Sequence, residues 1–261
     1  MIIKIATLLA AIFSSALGVG GGILLVPLLH SVGKLEFKNA TSTSITLIIP
    51  ISYLGAISHL LMNFRNFPVE ILSLFLPACM VGALLGKLLI GKFNNLFVKF
   101  VFSLFLIVIS AKLLNFFDLF DHFILVGNIT NHLNIIVFFY GIFISAISVS
   151  LGVGGGLITV PFLHLVCNLS LPNSIAISLL SVAVISTIGT AVLRTTKYFD
   201  KMTIRSLIPF CITGASLGAL ISQQAPEYYL KKIFAIFILV VGVMYLKSIL
   251  KDIKEQFVYE Y

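Results

Sequence analysis

Two short glycine runs are the stretches of this sequence best suited to bind a ligand. Residues 18–22 and residues 152–156 both read GVGGG, so each run holds four glycines in five positions. Each glycine in a helix costs about 1 kcal/mol relative to alanine, which predicts a break in the helix at each run. A helix that restarts after the break, at Ile23 or Leu157, directs its unpaired N–H groups and its positive dipole end back at the glycines.

A helix start of this kind attracts anions, and glycine lets a ligand approach the backbone closely. Inverted-repeat transporters bring two such helix starts together near the membrane midplane to hold an anionic group. The alternative is that the glycines only allow close helix packing, as in other small-residue interfaces. The predicted anion-binding glycines are Gly18, Gly20, Gly21, Gly22, Gly152, Gly154, Gly155 and Gly156.

Hydroxyl and amide side chains follow each glycine run, at the start of the next apolar segment. Such groups donate hydrogen bonds to an oxyanion without holding it as tightly as a fixed charge would. Helix capping and bonding between helices are the alternative roles for each of them. The predicted contacts to the anion are Asn39, Ser42, Thr43 and Ser44 in the first half, with Asn173, Ser178 and Ser181 in the second.

Ionisable side chains inside the apolar segments are few. His59 and Arg194 end two segments at nearly equivalent positions, and charges within a membrane suggest charge or proton coupling. Alternatively, both side chains reach out to the membrane interface. His30 and His164 are predicted to be interfacial, the alternative being a part in proton coupling near neutral pH. The sequence contains no Ser-His-Asp grouping, HExxH or CxxCH motif, so we predict neither an enzyme nor a metal or cofactor site.

The composition predicts a membrane protein. Hydrophobic residues make up 59% of the chain and charged residues only 10%, against about 25% charged in soluble domains. The mean hydropathy is +1.15. Despite the net charge of +8, Lys and Arg stand singly between apolar segments, which argues against nucleic-acid binding. The apolar segments are residues 2–31, 43–62, 69–91, 97–117, 133–166, 174–193, 203–223 and 229–250, long enough for an all-α polytopic fold.

The second half of the sequence repeats the first. The pattern GVGGGxxxVPxLH occurs at residues 18–30 and again at residues 152–164, so that Gly18 of the first copy is equivalent to Gly152 of the second. The pattern PxCxxGxxxG occurs at residues 77–86 and 209–218. Two matches in the same order indicate a duplicated four-segment unit. The predicted organisation is a first repeat at residues 1–117, a linker at 118–132 and a second repeat at 133–261, all in a single membrane domain.

The distribution of positive charge bears on the orientation of the two repeats. If segments 2–31 and 133–166 turn back at their glycines as re-entrant hairpins, 13 of the 17 Lys and Arg lie on the same side as both termini. The positive-inside rule makes that side cytoplasmic. We therefore predict six full crossings, two hairpins and inverted repeats, the alternative being two long and strongly tilted crossing helices.

The doubled glycine motif resembles that of the TauE/SafE family, the sulfite-exporter and sulfonate-permease group. The resemblance is carried by residues 18–29 and 152–163, by the hydroxyl-rich stretch 40–44, and by Pro77 with Gly82 and Gly86. It implies a transporter of sulfite, sulfonates or related organic anions in the bacterial cell inner (cytoplasmic) membrane.

We expect alternating access, in which the anion binds between the two glycine runs and the two halves rock around it. A membrane-embedded scaffold or accessory subunit without transport of its own is the alternative. The expected partners are a small anionic substrate and the lipid bilayer. A coupling ion, H⁺ or Na⁺, and an oligomer are compatible with the sequence.

Overall fold

The computed structural model describes residues 2–63, 67–89, 95–114, 133–151, 154–193 and 200–259. The predicted linker at residues 118–132 lies outside these ranges. Every element of regular secondary structure in the described ranges is an α-helix, which confirms the predicted all-α class. In chain order the helices are α1 (Ile2–Leu17), α2 (Gly22–Ser31), α3 (Phe37–Asn63), α4 (Val69–Leu89), α5 (Asn95–Leu113), α6 (Leu133–Leu151), α7 (Gly156–Leu165), α8 (Leu171–Leu193), α9 (Lys201–Gln224) and α10 (Glu227–Tyr259).

Several of these helices can cross a membrane. Within the described residues, four apolar stretches have the length and composition of a full span, in agreement with the predicted multi-pass membrane protein. The other apolar helices found in the same ranges are shorter. The four long stretches are Lys38–Leu61, Leu171–Ala191, Lys201–Gln224 and Glu227–Leu250.

Each apolar segment that carries GVGGG is divided into two helices, as predicted. α1 ends at Leu17 and α2 begins at Gly22, while α6 ends at Leu151 and α7 begins at Gly156. α2 and α7 have 10 residues each, so each is about 15 Å long, half the thickness of a hydrocarbon core. A length of half a bilayer suits a hairpin arm, and the re-entrant path stays a prediction.

The loops that follow α2 and α7 have the same backbone conformation. Lys34 and Asn168, which are equivalent positions of the two repeats, both have positive φ, at 53° and 51°. The N–H groups of Leu35 and Leu169 each donate to the carbonyl six residues earlier, at 3.2 and 3.1 Å. Local backbone geometry is therefore repeated along with the sequence.

One hydrophobic core, which we call the α9 bundle, joins α1, α2 and α3 of the first repeat to α9 of the second. α9 approaches α1 at Gly218, where an added Cβ would overlap the carbonyl of Ile12. Close backbone approach at small residues supplies attraction between helices in a bilayer, where removal from water contributes little. The buried members of this core are Ala10, Ala11, Leu25, Leu29, Ala40, Leu47, Ile48, Ile51, Ile204, Leu207, Cys211 and Ala215, together with Val182 of α8.

A second core, which we call the α4 bundle, joins α4 of the first repeat to α6, α7 and α8 of the second. An added Cβ at Gly82 of α4 would overlap the carbonyl of Ile142 on α6. The rings of Tyr140 and Phe162 are stacked, with centroids 3.4 Å apart. The buried members are Phe75, Cys79, Ala83, Val137, Phe162, Leu163, Cys167, Ile177 and Ile185.

The same pair of segments packs together in both bundles, each time with one helix from each repeat. A Cβ added at Gly214 of α9 would lie 2.6 Å from the carbonyl oxygen of Leu8, just as Gly82 lies against Ile142. Leu8 and Ile142 are themselves equivalent positions of the two repeats. In each bundle the third apolar segment of one repeat therefore packs against the first helix of the other. Each core thus contains helices from both repeats, and neither core lies within residues 1–117 or 133–261 alone.

α5 and α10 form a separate compact unit. Ser103 donates to the carbonyl of Gly242 and Ser110 to that of Ala235, both at 2.8 Å. Gly242 also lets α5 approach, since an added Cβ would lie 3.0 Å from Ile107. The remaining helices, α1–α4 and α6–α9, make up the larger unit, which contains both glycine runs.

Candidate functional site

The glycine runs adopt backbone conformations that favour glycine. Gly18, Gly20 and Gly21 have φ of 71°, 80° and 86°, and Gly154 and Gly155 have φ of 84° and 81°. These values lie in the left-handed region, which residues with a Cβ rarely adopt. The runs therefore interrupt the helical path instead of continuing α1 or α6.

A helix starts in the same way after each run. Gly21 and Gly155 are the N-caps of α2 and α7, and neither helix start receives a side-chain cap hydrogen bond. The carbonyl of Gly21 accepts from the N–H groups of Leu24 and Leu25, and Gly155 accepts equivalently in α7. The N–H groups of the first residues in each helix have no intrahelical acceptor, so they are available to a ligand.

The two runs touch each other. A Cβ added at Gly156 would overlap the carbonyl oxygen of Gly18 and would lie 2.7 Å from Val19 Cα. Val19 is fully buried, and so are the glycines on either side of it. The start of α7 thus packs directly on the first glycine run, and the two breaks form one continuous region of irregular backbone.

Val182 of α8 lies against both runs. A Cβ added at Gly20 would overlap Val182, whereas one added at Gly154 would lie 3.7 Å from it. Gly154 is also less buried than Gly155 and Gly156. Close packing, the alternative role of these glycines, accounts for Gly18, Gly20, Gly21 and Gly156, but Gly154 has room beside it.

The remaining predicted glycines divide into two cases. Gly22 is buried at the first position of α2. Gly152 lies outside the described residues.

The hydroxyls of Ser178 and Ser181 are already engaged. Ser178 donates to the carbonyl of Gly18 at 2.7 Å, so it ties the first glycine run to α8. Ser181 donates to the carbonyl of Ser178 at 2.7 Å, within its own helix. Ser178 thus lies at the predicted site, but its proton is committed to the protein backbone.

The hydroxyls at the start of α3 differ from one another. Ser42 donates to the carbonyl of Lys38 at 3.0 Å. The hydroxyl oxygens of Thr43 and Ser44 are fully buried, and no hydrogen-bond partner is present for either among the described residues. Because a buried hydroxyl without a partner is costly, Thr43 and Ser44 are better candidates for a ligand contact than Ser42.

The two predicted asparagines are alike. The side-chain oxygens of Asn39 and Asn173, at equivalent positions of the two repeats, are both buried, and neither oxygen accepts a hydrogen bond in the part of the chain that is described. Asn173 takes part in a further interaction. The geometry therefore ranks neither asparagine above the other as a ligand contact.

His59 is buried within the α9 bundle. Its side chain is fully buried, and Nε2 lies 3.1 Å from the hydroxyl oxygen of Ser222 on α9. The alternative in which His59 reaches the membrane interface is therefore wrong. Arg194, its predicted counterpart, lies outside the described residues. Across the described ranges, no three His, Cys, Asp or Glu side chains come together as metal ligands.

His30 and His164 hold the loops after α2 and α7. Nδ1 of His30 lies 2.8 Å from the carbonyl of Leu35, and Nδ1 of His164 lies 2.9 Å from that of Leu169. A carbonyl only accepts, so Nδ1 donates in both cases. His30 is exposed and His164 is half-buried. Their contacts indicate a structural role in two equivalent loops.

Two serines outside the predicted site lie beside the first glycine run. Ser14, in the last turn of α1, is fully buried, and a Cβ added at Gly21 would lie 2.8 Å from its hydroxyl oxygen. Ser15 donates to the carbonyl of Ala215 on α9 at 2.8 Å. The signal in the sequence is that Ser14 recurs as Ser148 at the equivalent position of the second repeat.

Comparison with known proteins finds a family model that matches most of the chain and a relative that matches part of it. A family model described as "Sulfite exporter TauE/SafE" matches residues 2–113 and 136–257. The "Probable membrane transporter protein MamO" of Paramagnetospirillum magneticum is 28% identical over 109 residues, which is 40% of this chain. The matched part spans only 17% of the length of that relative. No solved structure matches the chain significantly.

Proposed function

This chain belongs to the sulfite exporter TauE/SafE family of membrane transporters, and we propose that it is a secondary transporter of a small anion: sulfite, a sulfonate or a related organic anion. The observation that carries this proposal is the contact between the two glycine runs, at Gly156 and Gly18. α7 starts at this contact, α2 starts at Gly22 within the run that Gly18 opens, and neither helix start has a side-chain cap. Converging helix starts concentrate N–H donors and positive dipole ends, which favours an anion.

The side chains around the runs suit an anion that binds and then leaves. Ser14 and Thr43 supply neutral hydroxyls that are buried and have no partner in the described part of the chain. Neutral donors hold an anion more weakly than a buried Lys or Arg would, so release costs less. The proposed contacts are the glycines of both runs with Asn39, Asn173, Thr43 and Ser44. Ser178 and Ser181 instead donate to backbone carbonyls.

Alternating access is proposed to occur between the α9 bundle and the α4 bundle. α1 packs on α9 and α6 packs on α4 through backbone contacts, so the two sequence halves are poor candidates for rigid bodies. Contacts between the bundles are made by α3 with α8, including Thr46 and Thr190 with hydroxyl oxygens 3.3 Å apart, and by the two glycine runs. A motion along this boundary would open the proposed site alternately to each side.

The proposed location is the bacterial cytoplasmic membrane, with both termini cytoplasmic. The support is the 13-of-17 share of Lys and Arg on one side in the hairpin topology. The proposed coupling ion is a proton or sodium. Imposing a pH gradient or a sodium gradient separately across proteoliposomes, and measuring which one drives uptake, distinguishes the two.

Binding and flux measurements test the proposed function. Thermal unfolding of the purified protein in detergent is measured with sulfite, methanesulfonate, taurine and acetate, because a ligand that binds the folded state raises the melting temperature. We expect at least one anion to raise it and to be transported in proteoliposomes. A protein that shows neither a shift nor flux with any of them is a scaffold or accessory subunit instead.

A further inference from the structure

Ser14, like Thr43 and Ser44, has a buried hydroxyl without a hydrogen-bond partner among the described residues. Several other serines and threonines in the described helices donate to a carbonyl three or four residues earlier, as Ser52 does to Ile48 at 2.6 Å. Others, such as Ser15, donate to a neighbouring helix. Ser14 is fully buried and its hydroxyl oxygen has no partner among the described residues. Leaving a buried hydroxyl unpaired is unfavourable, so a ligand that forms a hydrogen bond with Ser14 would remove this cost.

The hydroxyl of Ser14 lies at the start of α2. The last turn of α1 is closed by a bond from the N–H of Val19 to the Ser14 carbonyl, at 3.1 Å. This bond places Ser14 opposite Gly21, whose added Cβ would be 2.8 Å from the Ser14 hydroxyl oxygen and 3.4 Å from Leu25. Gly21 is the N-cap of α2 and receives no side-chain cap.

We infer that Ser14 and the first N–H groups of α2 form a subsite for one oxygen of an oxyanion. This inference rests on the proposed function and deepens it by adding a residue and assigning its partner. The hydroxyl donates one hydrogen bond, and the N–H groups of Gly22 and Ile23, which precede the first intrahelical donor Leu24, supply the others. Because Gly21 has no Cβ, its backbone can lie directly against the Ser14 hydroxyl, and a Cβ added there would come within 2.8 Å of that oxygen.

The chemistry of the subsite selects an anion over a cation. The positive end of the α2 dipole and the N–H groups repel a cation. A hydroxyl alone would not discriminate, because it can donate to an anion or bind a cation through its oxygen. No Lys, Arg or carboxylate is part of the described contacts of Ser14 and Gly21, so the anion is bound by neutral donors. Sulfite, sulfonate and carboxylate oxygens all meet this requirement.

The second repeat has residues equivalent to Ser14 and Gly21. Ser148 stands at the equivalent position of α6, and Gly155 is the equivalent N-cap of α7. The side chain of Ser148 is not among those described. A second subsite at Ser148 would let two oxygens of one anion be held from the two repeats.

The test compares Ser14→Ala with Ser52→Ala as a matched control. Both remove one hydroxyl from a fully buried serine of the same bundle, but only Ser52 has a hydrogen-bond partner. Without anion, Ser14→Ala should melt at or above the temperature of the parent, while Ser52→Ala should melt lower because a formed bond is lost. Dissociation constants for sulfite and methanesulfonate, measured by titration calorimetry, should rise about tenfold or more in Ser14→Ala and stay within about twofold in Ser52→Ala.

The outcomes separate the two proposals. If the parent binds an anion and Ser14→Ala binds it equally well, the Ser14 subsite is wrong while the transporter proposal stands. If the parent binds none of the anions, the proposed function fails and the subsite fails with it. Ser14→Thr retains the hydroxyl and should recover at least part of the affinity. If Ser14→Thr and Ser14→Ala, both folded, lose affinity equally, volume rather than hydrogen bonding is responsible, which also contradicts the subsite.

Discussion

Ser178 donates a hydrogen bond of 2.7 Å to the carbonyl oxygen of Gly18, and this bond joins two repeats of the chain. Gly18 opens the first glycine run, and Ser178 belongs to α8 of the second repeat. The same carbonyl packs against Gly156 at the start of α7. One backbone group thus connects the first break, the second break and a full-length membrane helix.

Replacing Ser178 with alanine should destabilise the protein. The change leaves the Gly18 carbonyl without this donor in a buried site, at a cost of about 1–3 kcal/mol. The measurement is the melting temperature in detergent without substrate. Ser181→Ala is the control, since Ser181 donates only within its own helix. A Ser178→Ala variant that is fully stable but binds anions poorly would indicate direct contact with substrate instead.

Gly20→Ala should be strongly destabilising, and Val182→Ala should relieve part of the effect. Gly20 has a φ of 80°, and an added Cβ would overlap the side chain of Val182. Shortening Val182 removes the overlap but not the backbone strain, which is about 1–2 kcal/mol. A double-mutant cycle in thermal stability measures the coupling.

Gly156→Ala provides the matched control for this cycle. Its added Cβ would meet backbone atoms of Gly18 and Val19, which no side-chain truncation can move away. Val182→Ala should therefore not improve Gly156→Ala. Equal rescue of both glycine variants would mean that Val182 is not the obstacle at Gly20.

Spin labels should detect motion between the bundles and not within them. Ile5 and Leu217 are exposed residues of the α9 bundle, whereas Ile57 and Phe139 are exposed on different bundles. We expect the distance distribution of the first pair to be the same with and without a transported anion, and that of the second pair to shift. A shift confined to the first pair would contradict the proposed boundary.

Single cysteines at Asn128 and Asn168, in a background lacking the three native cysteines, test the topology. The hairpin topology puts both positions on the outer face of the membrane, whereas full crossing of segments 2–31 and 133–166 puts them on opposite faces. Labelling of intact cells with a membrane-impermeant maleimide should modify both. Labelling of one of them only would favour the crossing alternative.

Asp200 should make the stability of α9 depend on pH. Its carboxylate accepts from the Thr203 hydroxyl at 2.6 Å and from the N–H groups of Met202 and Thr203. The hydroxyl bond from Thr203, followed by the two N–H bonds, holds the pKa of Asp200 below its ordinary value despite partial burial. A lowered pKa means that the stabilisation is fully present above the ordinary Asp pKa and is lost as the pH falls through the folded value.

Two substitutions at this position test the charge separately from the cap. Asp200→Ala should lose about 1 kcal/mol at neutral pH, because an N-cap is removed. Asp200→Asn keeps a capping side chain without the charge, so its melting temperature should fall less than that of the parent below about pH 4. The same acid dependence in both proteins would show that Asp200 does not contribute to it.

How much could be predicted from the sequence depends on the range of the interaction. The helix breaks at residues 18–22 and 152–156 follow from the local cost of glycine, and the structure places α2 and α7 where that cost predicts them. The burial of His59 was not predicted, because its position near the end of an apolar segment is compatible with an interfacial side chain. His59 is buried only because α9 packs against α3 and places Ser222 beside it.

The membrane class, the helical fold and the helix breaks at both glycine runs could be predicted from the sequence, because composition and local helix propensity are properties of the chain. Tertiary structure alone decided that Gly156 packs on Gly18, that α4 and α9 are exchanged between repeats, and that Ser14 lies unpaired beside Gly21. These relationships depend on which helices approach closely. The repeat predicts that both halves use equivalent surfaces, but a surface of small residues fits more than one partner, and the partner is selected by the packing of the whole bundle.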